Sequence, residues 1–263
     1  MRLEWEIARR GYRRYAAYPA ATWAGVLTNS VFGFVQAYIL LALFATRDEI
    51  GGYDATDTIT YVWLTQAMIG AVAVFGWVDI AERIMRGDIA TDLSRPVHPL
   101  HAGLAFDFGR AFYQTLFRGL PPLAVGAIVF DLEAPSSVAV WTVFFASVVL
   151  AIALSFAFRA VYNLSAFWLL DWRGPMLIAV TVSLFFSGFV IPVRFFPGWL
   201  ETLAYATPFP AMVQLPIDVF VGKAEGLELV QTLAVQGAWT IALFAAAYAL
   251  FSAGTRHLVV QGG

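Results

Sequence analysis

Six apolar stretches, each close to the length that carries a helix across a bilayer, divide this sequence and limit what it can fold into. A spanning helix needs about 20 predominantly apolar residues. The candidates are 22–45, 59–78, 111–130, 138–158, 176–191 and 232–253. With 60% hydrophobic and 13% charged residues, 23 Phe and 9 Trp, the chain holds more apolar surface than one soluble core of this size can hide. Lipid is the better solvent for it. The third stretch contains Arg118 and the Pro121-Pro122 pair, and the fifth is short, with Pro175 suited to its first turn. Beyond Arg159 the fourth continues as AVYNLSAFWLLDW without a turn signal. That predicts one long helix, leaving the bilayer on the Arg159 side and stopping at Arg173-Gly174-Pro175.

Six spans put both ends on one side, and the basic residues say which. One side collects Arg2, Arg9, Arg10, Arg13, Arg14, Arg83, Arg86, Arg95, Arg110, Arg159, Arg173 and Arg256, the other Arg47, Arg194 and Lys223. Twelve against three predicts cytoplasmic termini. The opening MRLEWEIARRGYRRYAAYP lacks the apolar core of a signal peptide before Pro19. As a helix it places Leu3, Ile7 and Tyr15 on one side and crowds Arg9, Arg10, Arg13 and Arg14 on the others. That reads as an amphipathic interfacial helix over 1–20, or as an ordinary positive flank.

Two other segments stand out. In the loop 79–102, Ile80 and Ile84 share a helical face, Gly87 can end that turn, Asp88 or Thr91 can cap a second short helix, and Arg95-Pro96 ends it. The expectation is a protruding cytoplasmic knob, polar outside and apolar inside. His98 and His101 with Asp88 and Asp92 match no metal-ligand spacing, so no metal site is expected. The outer segment 192–226 carries Pro192, Pro197, Pro208, Pro210 and Pro216 between apolar pieces too short to span. Such pieces form re-entrant helices, which need protein cover or a water-lined cavity at membrane depth, or else a surface loop. Within the spans, Asn29, Gln36 and Gln66 read as helix-to-helix glue or as pathway residues, and Arg118 as a snorkelling cation.

Absences narrow the chemistry. A net charge of −2 without a basic face argues against nucleic acid, and the lack of Cys excludes thiol chemistry. Lys223, the sole Lys, lies on the outer side, so no phosphate-binding P-loop can be built. No hydrolase or dinucleotide motif occurs, no catalytic residue is nominated, and no span pairs acidic residues as proton relays do.

The order of a basic amphipathic helix, six spans, a polar loop after the second and a Pro-rich apolar hairpin after the fifth resembles the permease subunits of ABC-2 type (type V) ABC transporters. IMRGDIATDLSRPVHPLH looks like their "G-x-I/L, then L-x-R-P" stretch. SGFVIPVRFFPGWLETLAYATPFPAMVQLPIDVFVG looks like their "S-G, I-P, F-P-x-W-L, then P-F and P" stretch. The chain is most similar to the branch of about 260 residues that pairs with a related permease and a separate ATPase. The resemblance implies an all-α integral membrane protein, one domain over 1–263, in the cytoplasmic (inner) membrane of a prokaryote. It implies an ATPase-coupling loop holding Arg83, Arg86, Gly87, Asp88, Asp92 and Arg95. The N-terminal helix would lie near the same ATPase, and a hairpin with Pro192, Pro197, Trp199, Pro208, Pro210 and Pro216 would cap the pathway. ATP and Mg would be bound by the partner ATPase, with no cofactor in this chain. Expected partners are that ATPase, a second permease, identical or related, and membrane lipid. The expected function is export of an amphipathic, lipid-like, peptide or drug-like substrate, with Phe185, Phe186 and Phe189 as pathway candidates or lipid-facing packing. The alternatives are a non-transporting regulatory or scaffold protein and an ion-coupled carrier. Arg118 and segment 160–172 match no family feature.

Overall fold

In a computed structural model, which describes residues 2–73, 76, 79–169 and 171–256, all regular structure is helical. The chain opens with α1 (Arg2–Ala16) and turns at Pro19 into α2 (Pro19–Leu41). α3 (Ala55–Met68) follows and runs into a π turn, Ile69–Ala73. Two short helices, α4 (Ile80–Met85) and α5 (Ile89–Leu93), form the polar loop. α6 (Pro99–Gln114), a second π turn (Thr115–Gly119) and α7 (Leu120–Val129) run on as one interrupted helix. Then come α8 (Val138–Asn163) and α9 (Arg173–Phe186), two short helices, α10 (Gly198–Tyr205) and α11 (Gln214–Phe220), and finally α12 (Leu227–Thr255).

Among the described residues, three helical stretches are long and apolar enough to cross a bilayer by themselves: Pro19–Ala45, Val138–Phe167 and Leu227–Thr255, of 27, 30 and 29 residues. At about 1.5 Å per residue each exceeds the roughly 30 Å hydrocarbon core. The expected second, third and fifth spans fall on shorter or interrupted helices: α3 with its π turn, the α6–α7 run, and α9. Positions 74, 75, 77 and 78 at the end of the second lie outside the described residues.

Two expectations need correcting. The fourth helix does not continue to residue 172. It ends at Asn163 and tightens into a 3₁₀ turn over Leu164–Phe167. Polar side chains take the carbonyls there: Asn163 Nδ2 donates to Arg159 O at 2.8 Å and Ser165 Oγ to Tyr162 O at 2.7 Å. Side chains that compete for backbone acceptors stop a helix without Gly or Pro. The third helix, in turn, starts at Pro99 rather than at 111, and its early part receives α1.

α1 docks along α6 through a close approach of Gly11 and Gly109. A Cβ at either would overlap backbone of the other helix, at Phe106 O and Ala8 O respectively. Ile7, Ala8, Tyr12 and Tyr15 are partly covered, and Tyr12 meets Tyr113 edge-on at 5.3 Å. Leu3 and Trp5 stay exposed, as do Arg9, Arg10, Arg13 and Arg14. Arg14 NH1 reaches Asp79 Oδ2 at 2.7 Å, which ties α1 to the start of the polar loop.

Between α2 and α3 the amides act as glue. Asn29 Nδ2 donates to Gln66 O at 3.2 Å and Gln66 Nε2 to Gln36 Oε1 at 3.1 Å; Gln36 Nε2 then donates to Val190 O at 2.8 Å, past the end of α9.

Candidate functional site

The loop 79–102 begins below the π turn that ends α3. The π turn ends at Ala73, which has a positive φ of 54°, and the carbonyls of Gly70, Ala71 and Val72 face side-chain donors. In a bilayer such carbonyls must find donors. Arg110 donates through NH2 to Ala71 O at 2.8 Å and through NH1 to Gly70 O, and Ser155 Oγ donates to Val72 O. Asp107 holds the arginine in place: Arg110 Nε lies 2.6 Å from its Oδ1, and Arg159 NH2 2.7 Å from its Oδ2. All three ionisable residues are buried. The surplus positive charge faces the carbonyl end of α3, where a helix dipole favours cations.

This cluster corrects the sequence reading of charge. The expectation counts Arg110 and Arg159 on the cytoplasmic side as flanking charges, but both are buried in the protein. Without them the basic bias is ten against three. Asp107, which the sequence reading passed over, is the partner of both. Its signal was the Asp107–Arg110 spacing of three, one helical turn.

In the loop itself, Ile80, Ala81, Ile84 and Ile89 are buried with Leu100, Leu164, Trp172 and Phe251 in one apolar cluster. Gly87 takes φ +78° between the two short helices, a conformation that strains any residue with a Cβ. Asp88 occupies the position before α5 but its side chain makes no cap. Asp92 is buried and accepts from Arg83, with Arg95 NH1 at 3.2 Å. Arg83 and Asp92 therefore brace the knob from inside. Its outward surface includes Met85, Arg86, Gly87, Asp88, Leu93 and Arg95. His98 Nδ1 accepts from Leu100 N at 3.2 Å, and its ring packs on Tyr248 and Phe251 at 4.9 and 4.8 Å. Burial, and then His101, lower the His98 pKa below its ordinary value.

On the far side, segment 192–226 folds back over α3, α8 and α12. Pro192 leads into a 3₁₀ turn, Pro197 precedes α10, Pro210 opens a second 3₁₀ turn, and Pro216 lies in the first turn of α11. Pro208 is partly covered between α10 and that second turn, and Trp199 is exposed. α11 is sheathed in protein. Gln214 Nε2 donates to Asp218 Oδ1 at 2.7 Å and to Tyr53 Oη at 2.8 Å, and Tyr53 Oη donates to Asp218. Gln214 Oε1 accepts from Tyr61 Oη and Val193 N, both at 2.8 Å. Arg194 Nε lies 3.1 Å from Asp218 Oδ2. Burial pushes the Asp218 carboxyl up, with Arg194 and the hydrogen bonds from Tyr53 and Gln214 pulling against it. Lys223 Nζ reaches Asp57 Oδ2 at 2.6 Å, and Asp57 closes the capping box of α3 with Asp54.

α9 is sparsely covered. Among its residues only Ser183 is buried. Phe185 stacks on Phe196 at 5.2 Å and Phe186 on Phe209 at 6.4 Å, so both rings sit beneath the hairpin. Phe189 is partly buried beyond the helix end. An open apolar groove of about 600 Å³ runs between α8 and α9, lined by Phe158, Pro175, Ile178, Val182 and Phe209.

A family model described as ABC-2 family transporter protein matches residues 31–262. The chain belongs to the ABC-2 transporter family. No curated protein matches it. As a member of the ABC-2 family it is a multi-pass membrane protein and a transport permease, of a family that generally works with ABC ATPase subunits. The match includes the knob, the Asp107 cluster and the 192–226 hairpin. It leaves α1 and the first half of α2 outside.

Proposed function

We propose that this ABC-2 permease is the membrane part of an ATP-driven exporter, and that the knob formed by α4 and α5 is where a separate ATPase pushes. ATP and Mg bind on that partner, and both termini of this chain face it. The observation that carries the reading is the division of labour within the knob. Its apolar base is packed against α8 and α12, Arg83 and Asp92 brace it, and Met85, Arg86, Asp88 and Leu93 point outward. A rigid body of this kind passes force to the transmembrane helices instead of absorbing it. The Asp107 cluster fixes the preceding π turn to α6 and α8, so displacement of the knob moves those helices together.

The bare faces of α9 and the groove beside it suit a second permease, with the pathway between the two under the outer hairpins. Phe185 and Phe186 at the top of α9 fit an amphipathic or lipid-like substrate.

The charge reversals R86E and D88R test the coupling. Both side chains are exposed, so the fold is expected to survive. ATPase co-purification and substrate-stimulated ATP hydrolysis are each expected to fall about tenfold or more, the equivalent of roughly 1.4 kcal/mol. Unchanged assembly and hydrolysis in both variants would remove the knob from the coupling route.

A further inference from the structure

Arg118 is the one charged side chain in the expected third span, 111–130. It sits on the π turn Thr115–Gly119. Its side chain lies against the backbone of α2 at Gly25, where Cδ, Nε and Cζ occupy the space a larger residue would fill. Nε is buried without a partner, and no carboxylate or carbonyl among the described residues pairs with the guanidinium. One turn earlier Gln114 is buried with Oε1 also lacking a partner. Gln114 Oε1 faces Gly70 and not Gly25, so Arg118 Nε is the unsatisfied group at the α2 surface.

The position of Arg118 says what could satisfy its guanidinium. Gly25 is six residues past Pro19, so about 9 Å along α2 from its α1 end. This is near the edge of the hydrocarbon on that side, within reach of headgroup phosphates for an arginine stem. Trp23 and Leu27 on α2, and Phe117 and Leu120 on the neighbouring helix, are exposed and apolar. A guanidinium here is unfavourable unless an anion neutralises it. A phosphodiester offers two oxygens that match the guanidinium fork.

We propose that Arg118 seats the phosphate of an anionic phospholipid from the leaflet on the α1 side, with its acyl chains against the apolar side chains around it. The site rests on the chain crossing the bilayer, not on the knob binding an ATPase, so it is tested without that partner. The full chain in detergent micelles is titrated with phosphatidylglycerol, and bound lipids are counted by native mass spectrometry for wild type, R118K, R118Q and G25L. One lipid is expected to bind wild type about tenfold more tightly than R118Q. R118K falls between, because an ammonium lacks the bidentate fork. G25L, which fills the cradle while leaving Arg118 in the chain, also weakens that lipid. Excess inorganic phosphate leaves it in place. Equal lipid affinity in wild type and R118Q overturns the proposal, as does displacement by inorganic phosphate, which would make a free anion the occupant. Should R118Q fail to fold, equal affinity in wild type, R118K and G25L overturns it as well.

Discussion

Replacing Asp107 with Asn is expected to destabilise the chain by about 3–5 kcal/mol, the range for breaking a buried ion pair by removing one partner. The reason is the charge count around it. One carboxylate serves two arginines, Arg110 and Arg159, with side chains 7% and 3% exposed. D107N leaves both cations buried without a counter-charge, with only neutral amide, backbone and hydroxyl oxygens as acceptors. R159Q removes a cation instead and leaves a balanced Asp107–Arg110 pair. It gives up the Ser155 contacts, a loss of about 1–3 kcal/mol. Melting at a fixed scan rate in detergent separates the two, since about 1 kcal/mol moves the midpoint by roughly 2–4 °C for a domain of this size. A D107N shift no larger than that of R159Q would mean that the cluster does not behave as a buried charge network.

The Asp218 network gives the second large effect. Asp218 is 1% exposed and accepts from Tyr53, Gln214 and Arg194. D218L strands three donors, each with an unmet hydrogen bond worth about 1–3 kcal/mol if buried. Arg194 is a third exposed and can turn to water, so its share is small. The net expectation is about 2–4 kcal/mol, with D218N at roughly half of that because an amide oxygen still accepts. Limited proteolysis of the hairpin reads the local effect: cleavage within 192–226 should rise for D218L before the global melt moves. If hairpin cleavage is unchanged, the Tyr53–Gln214–Asp218 network is not what holds the cap down.

Much of this architecture is legible in local sequence. Gly87 and the Ile80/Ile84 spacing mark the two short helices of the knob, because a positive φ and an apolar face are local requirements. The prolines mark the breaks of the outer segment. Gly226 directly precedes α12, the one long helix after the hairpin. What escaped was set by partners distant in sequence. Arg159 reads as an interfacial residue until Asp107, 52 positions away, neutralises it. Gly11 and Gly109 read as unremarkable helix positions until the two backbones meet. Asn163 stops α8 by a side-chain bond that has no Gly or Pro signature. Of the expected coupling residues, charge alone could not separate Arg83 and Asp92, which brace the knob, from Arg86 and Asp88, which face outward.

The central claim is that the outward surface of the knob meets an ATPase. The absence of native cysteine allows a direct test, because one introduced thiol is the only one in the chain. D88C on the knob and W199C on the outer hairpin are each reacted with a short thiol-to-amine cross-linker in membranes that contain the complete transporter. The account predicts an ATPase adduct from position 88 and none from position 199. An adduct from 199 with none from 88 would contradict it.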